Sequence, residues 1–188
     1  MHEMRKKSQQ WLSLLSFGIL IGVILLTLFP PAVGDDRAPV TCMNNLKRLA
    51  LAFAMYADRY DQRMPMDSAS PTLVGSMKLL SNVVTSANFL HCPNDARPGG
   101  KAEANFSKLT ALNISYSYVP NLIWQDRPDS IVALDRIGST LAGSTWPKSG
   151  NHEGRGGNVA FIDGHVQWCT NLTSGLKDKD GQAIVLSP

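Results

Sequence analysis

The sequence has little excess charge of either sign. Setting aside Arg5, Lys6, Lys7 and Glu3 takes three from the 18 basic and one from the 15 acidic residues, so the remainder is within one charge of neutral. A nucleic-acid binder needs a concentrated basic face for phosphate contacts, and that class is disfavoured. There is no Cys-x-x-Cys, which removes support for a thioredoxin-like or zinc-ribbon reading. Gly-x-Ser-x-Gly, a Walker loop and His-Glu-x-x-His are also absent. No internal repeat or low-complexity tract interrupts the 188 residues, enough for one domain and an appendage.

What is present begins with an uncharged run, Trp11 to Phe29, whose only polar members are Ser13, Ser16 and Thr27. As a helix it spans ~30 Å, the hydrocarbon thickness of a bilayer. Arg5, Lys6 and Lys7 precede it, so the positive-inside bias predicts a cytoplasmic tip (1–10), a transmembrane anchor (11–29), a linker (30–41) and an exported body (42–188). Small residues at Ala32-Val33-Gly34 offer a signal-peptide cut as the competing reading, but the run is longer than a usual signal core. Either way the body is exported. An inner-membrane, single-pass protein with a periplasmic C-terminal domain is the expectation.

From Thr41 to Tyr60 the chain reads as a helix, with Thr41 as its cap. Cys42, Leu46, Leu49, Phe53, Tyr56 and Tyr60 recur every three or four residues and draw one apolar stripe. Such a stripe ordinarily packs on a sheet; Leu46, Leu49, Phe53, Tyr56 and Tyr60 are also the candidates for a partner-facing surface. Pro71 to Leu80 predicts a short second helix. Strands are predicted at 88–92, 115–119 and 131–134, and the polar segment 93–113 as a surface excursion. One long helix followed by antiparallel strands is an α+β layout.

The C-terminal stretch Asn151 to Trp168 reads as a Gly-rich loop, a strand at 159–162, a type I′ turn at Asp163-Gly164 and a strand at 165–168. His152, Asp163 and His165 carry groups that suit zinc or iron, so a metal-assisted envelope hydrolase is an alternative function. Asp163 sits in the turn itself, which argues against convergence, and no metal or other cofactor is expected. The favoured role is structural: Asp163 caps the turn and His152 folds back onto that turn or the backbone beside it. Lys177 to Gly181 contains an Asp-x-Asp-Gly fragment but lacks the other ligands of a calcium loop. Cys42, Cys92 and Cys169 allow one disulfide and one free thiol in an oxidising compartment, with the pairing open, and equally allow burial of all three as small apolar side chains.

Three blocks together resemble a family. Cys42-Met-Asn-Asn-Leu-Lys-Arg with Tyr56-Ala-Asp-Arg-Tyr60, then Cys92-Pro-Asn-Asp95 with Ser115-Tyr-Ser-Tyr118, then His152, Asn158, Asp163, Gly164 and His165 are similar to the blocks of bacterial prepilin-like proteins, common in planctomycetes, that carry a C-terminal His-x9-Asp-Gly signature. The resemblance implies a pilin-like fold and a non-enzymatic pseudopilin-like subunit of an envelope complex. A processed pseudopilin of a secretion or pilus system is a further alternative. The chain departs from the pattern in two places. Phe17-Gly-Ile-Leu-Ile has no Glu in the register of the prepilin cleavage site, and ten residues rather than nine separate His152 from Asp163.

Overall fold

The computed structural model describes Gly18 and residues 37–69, 71–137 and 146–171. Apart from Gly18, the anchor at 11–29 lies outside them, as do most of the linker and the 177–181 fragment. The chain divides into two compact units, Met1–Asp36 and Arg37–Pro188. The described residues of the second unit form an α+β fold: helix α1 (Arg37–Arg59), a short α2 (Leu73–Lys78), and strands β1 (Tyr116–Tyr118), β2 (Ile131–Asp135), β3 (Gly157–Phe161) and β4 (Val166–Cys169). The strands make one antiparallel sheet in the order β1-β2-β3-β4.

Helix α1 starts earlier than its sequence suggests. Pro39 falls in the first turn, where a missing N–H costs nothing because no intrahelical acceptor is available to it. Thr41 is therefore inside the helix rather than its cap. The other end closes where Asp61 and Gln62 turn left-handed (φ 55° and 62°) and the Gln62 N–H reaches back to the Ala57 carbonyl at 2.8 Å.

The apolar stripe lies against the sheet. Cys42, Leu46, Leu49, Phe53 and Tyr56 are buried, which removes them as a partner-facing surface. Only Tyr60, stacked on Tyr56 with ring centroids 4.2 Å apart, keeps appreciable exposure. Alternation in β1 divides its labour. Tyr116 and Tyr118 face the helix segment, donating to the carbonyls of Cys42 (3.2 Å) and Pro65 (2.9 Å), and Phe53 lies 5.0 Å from the Tyr118 ring. Leu134, Val159 and Phe161 point the other way into a second cluster with Ile137 and Trp146. The sheet is thus covered on both faces, while β4 is the more exposed edge.

The predicted strand at 88–92 is instead a 3-10 turn, Asn88–Leu90, and its Phe89 and Leu90 are core residues held against α1. The excursion 93–113 contains two more such turns, Phe106–Lys108 and Ala111–Asn113, and buries Asp95 and Asn113. Among the described residues no helix is long and apolar enough to cross a membrane.

Cys42 and Cys92 form a disulfide that joins α1 to the loop after Leu90, while Cys169 is a half-buried free thiol whose pKa burial raises. The bridge spans 50 positions. Closing a loop of that size restricts the unfolded chain by about 4 kcal/mol in the chain-entropy account. The Cys42→Ala/Cys92→Ala double variant should therefore lose up to ~4 kcal/mol of unfolding free energy. Urea denaturation should read this as a lower midpoint with a larger m-value, because the unbridged unfolded chain expands and exposes more surface.

Candidate functional site

The polar centre of the molecule is the carboxylate of Asp135, at the end of β2. It is 1 % exposed, and β1 lies alongside through the pairing of Asp135 with Tyr116. A buried carboxylate has to find donors, because leaving it bare costs several kcal/mol. Four converge. Asn158 gives its backbone N–H (2.6 Å) and its side-chain amide (2.8 Å) to Oδ2, Asn151 gives its amide to Oδ1 (2.8 Å), and His152 Nε2 lies 3.0 Å from Oδ2.

His152 is 2 % exposed. Its other nitrogen, Nδ1, faces the Asn94 amide nitrogen at 3.1 Å. A carboxylate only accepts and an amide NH2 only donates, so these partners place the proton on Nε2 and leave Nδ1 as acceptor. The edge of the imidazole packs against Trp168, centroid to centroid 5.0 Å. Both nitrogens are used and the ring is sealed from solvent.

The Gly-rich loop exists because two indoles close over it. A Cβ on Gly156 would sit 2.6 Å from Trp168 Cζ2, and one on Gly157 would strike the Trp146 ring. Gly156 also has φ 145° and Gly154 φ 79°, values that L side chains rarely adopt.

A second buried charge adjoins the first through Ser115, whose carbonyl accepts from Asn151 at 2.6 Å and whose hydroxyl donates to Asp95 Oδ2 at 2.7 Å. Arg97 grips the same carboxylate through Nε (3.0 Å) and a terminal nitrogen (2.6 Å), and Arg136 reaches Oδ1 at 3.3 Å. Burial by itself raises the Asp95 pKa, but the hydrogen bonds from Arg97 and Ser115 and the Arg97 charge outweigh it and hold the group at about 2. For Arg136, desolvation dominates and lowers the pKa despite Asp95.

The Asp163-Gly164 turn lies at the far end of the hairpin, roughly four strand steps or ~13 Å along β3 from the glycine loop. Only Gly164 of the pair has positive φ (88°), and the Gly164 N–H bonds to the Phe161 carbonyl while the Phe161 N–H bonds to that of His165. This is a three-residue loop with a glycine bulge, not the type I′ turn that the dipeptide suggests. Asp163 Oδ1 accepts the His165 N–H (3.0 Å) and faces His165 Nδ1 at 2.5 Å, which together hold its pKa low. Both side chains are largely exposed, and His165 stacks on Phe161 with centroids 4.1 Å apart.

The structure therefore does not bring His152, Asp163 and His165 together. His152 folds back as expected of a structural residue, but onto Asp135 rather than the Asp163 turn, and Asn158 joins it there. Sequence reasoning passed over Asp135, Arg136, Asn94 and Asn151. The available signal was the charged doublet Asp135-Arg136 directly extending the apolar run Ile131 to Leu134. As a catalytic device the arrangement has no open face. Its chemistry is that of a clasp joining β2, β3, the glycine loop and the loop after Cys92.

Removing the Asp135 carboxylate strands its buried donors, so Asp135→Ala should cost about 3–5 kcal/mol, whereas Asp163→Ala in the exposed turn should leave the unfolding midpoint nearly unchanged. Chemical denaturation of the two variants checks the contrast. Asp95 has its folded pKa below its unfolded value of 3.8, so it contributes stability that is complete above pH ~4 and lost as pH falls through ~2. The shift corresponds to about 2 kcal/mol for this fully buried side chain. The stability gap between wild type and Asp95→Asn should narrow by that amount between pH 5 and pH 2.

Compared with known proteins, the chain matches no family model, no curated protein and no solved structure.

Proposed function

We propose that this is a non-enzymatic, single-pass envelope protein whose exported, pilin-like head acts as a structural or accessory subunit of a membrane-associated complex. The observation that carries this reading is the Cys42–Cys92 disulfide. Structural disulfides belong to oxidising compartments. That agrees with the topology expected from Arg5-Lys6-Lys7 and the apolar run 11–29, which put the body outside the cytoplasm.

Two further features support it. A long helix laid along an antiparallel sheet is the layout that a pilin-like head requires. The blocks that carry the family resemblance also meet in space. Cys42 joins Cys92, Asn94 faces His152, and Asp95 accepts from Ser115, so they form one structural unit rather than scattered similarities. The non-enzymatic part rests on the sealed surroundings of His152 and on the separation of Asp163 and His165 from it. The open groove between Lys78, Val84, Asn105 and Phe106 gathers no acid–base pair or activated nucleophile.

The test is thiol mapping on intact cells combined with intact-mass measurement of the membrane fraction. The expected result is a full-length chain in which Cys42 and Cys92 resist alkylation until reduced. Free thiols at both positions in the cell would sink the exported reading, and a mature N-terminus at Asp35 would sink the anchored one.

A further inference from the structure

We propose that the reduced form of this chain binds one Zn2+ through Cys42 Sγ, Cys92 Sγ and His152 Nδ1, so that the site holds either a disulfide or a metal ion. The three side chains are buried, and one ligand atom from each lies within 4.8 Å of the others. Two thiolates and an imidazole are a donor set suited to zinc, whose bonds of about 2.0–2.3 Å place neighbouring ligand atoms under 4 Å apart. In the disulfide the two sulfurs are bonded to each other, and reduction lets them part to ligand spacing beside the imidazole.

The surroundings of His152 are those of a metal-binding histidine. Nε2 is committed to the buried Asp135 carboxylate, which fixes the ring and leaves Nδ1 as the nitrogen with a lone pair. Nδ1 faces Asn94, two residues from Cys92, so the lone pair points into the loop that carries a sulfur. An ion there replaces the Asn94 hydrogen bond, and a fourth, oxygen ligand completes the tetrahedron. Among the described residues, Asp135 receives hydrogen bonds from amides and from His152, while Arg136 is turned to Asp95. A dication on the far side of the imidazole places positive charge behind the ring that this carboxylate holds. Two thiolates neutralise the ion itself, so the buried site adds no net charge.

The chemistry balances as a two-electron exchange. A phosphine delivers two electrons and becomes the phosphine oxide as water supplies its oxygen and two protons, which converts the Cys42–Cys92 disulfide into two thiols; a dithiol gives both electrons and both protons and closes to its own disulfide. Zn2+ then displaces both thiol protons to solvent. Oxidation reverses the sequence, and the two electrons leave with the oxidant as the sulfurs rejoin and the ion departs. Both sulfurs are buried, so the choice between bridge and metal is made when the chain folds or opens, not by reagents reaching the closed structure.

The experiment uses the full chain in detergent, reduced with a water-soluble phosphine without oxygen and titrated with Co2+ and then Zn2+. The expected result is one equivalent per chain, a sulfur-to-cobalt charge-transfer absorption lost on zinc addition, and no uptake by the oxidised protein. Cys169→Ser should leave binding unchanged, while His152→Ala should abolish the tetrahedral cobalt spectrum and Asp135→Asn should weaken affinity by about 10–100-fold. Bound zinc should also block re-formation of the disulfide under mild oxidant, a readout on the unmutated chain. A reduced chain that takes up no metal, whether it stays folded or unfolds, overturns the proposal. Binding that survives His152→Ala, or that needs Cys169, overturns it equally.

Discussion

A single carboxylate buried between β2 and the glycine loop sets the terms for the rest of the head. A buried carboxylate cannot go without donors, and Asp135 takes them from both the backbone and side chain of Asn158, from Asn151 and from His152. Each donor belongs to a segment that would otherwise be free to move. The loop 151–156 has few apolar side chains with which to pack, and its conformation comes instead from these hydrogen bonds and from the indoles of Trp146 and Trp168 against Gly157 and Gly156. Substituting a hydrophobic core for this network would give burial without geometry, since apolar contact is non-directional whereas four hydrogen bonds to one carboxylate are not.

The second charge, Asp95, works differently. It is held by two arginines and a serine hydroxyl, and Arg97 also reaches the carbonyls of Ala111 and Ile114. The excursion after Cys92 is therefore tied at its base by ion pairs and at its start by the disulfide to α1. Ser115 touches both networks, so the excursion, the glycine loop and the sheet are linked through one polar layer.

Much of this architecture was legible in the sequence because it obeys local periods. The stripe from Cys42 to Tyr56 repeats at the helical period, and the strands 116–118, 131–135, 157–161 and 166–169 fall on or beside short runs bounded by turn residues. What escaped has physical reasons. Phe89 and Leu90 form an apolar pair that reads as a strand, but a 3-10 turn buries them equally well. The start of α1 was hidden by Pro39, which is harmless only in a first turn. The role of His152 was half legible: its loop demanded an anchor, but the nearest acid in the motif, Asp163, is carried away by an extended strand. Its real partner comes from a different strand, and nothing local announces a contact across 17 positions.

The clasp has a consequence for the order in which the chain assembles. The Asp135 donors all lie downstream of it, and the Asn94 amide that completes His152 lies 58 positions upstream of that ring. Helix α1 and the β3–β4 hairpin can each take shape from neighbouring residues, but the carboxylate is satisfied only after β3 has docked beside β2. Until then Asp135 stays hydrated, and water must leave as the loop closes. The polar layer thus ties together segments that are distant in the chain, because the carboxylate is fully satisfied only when all of them are in place.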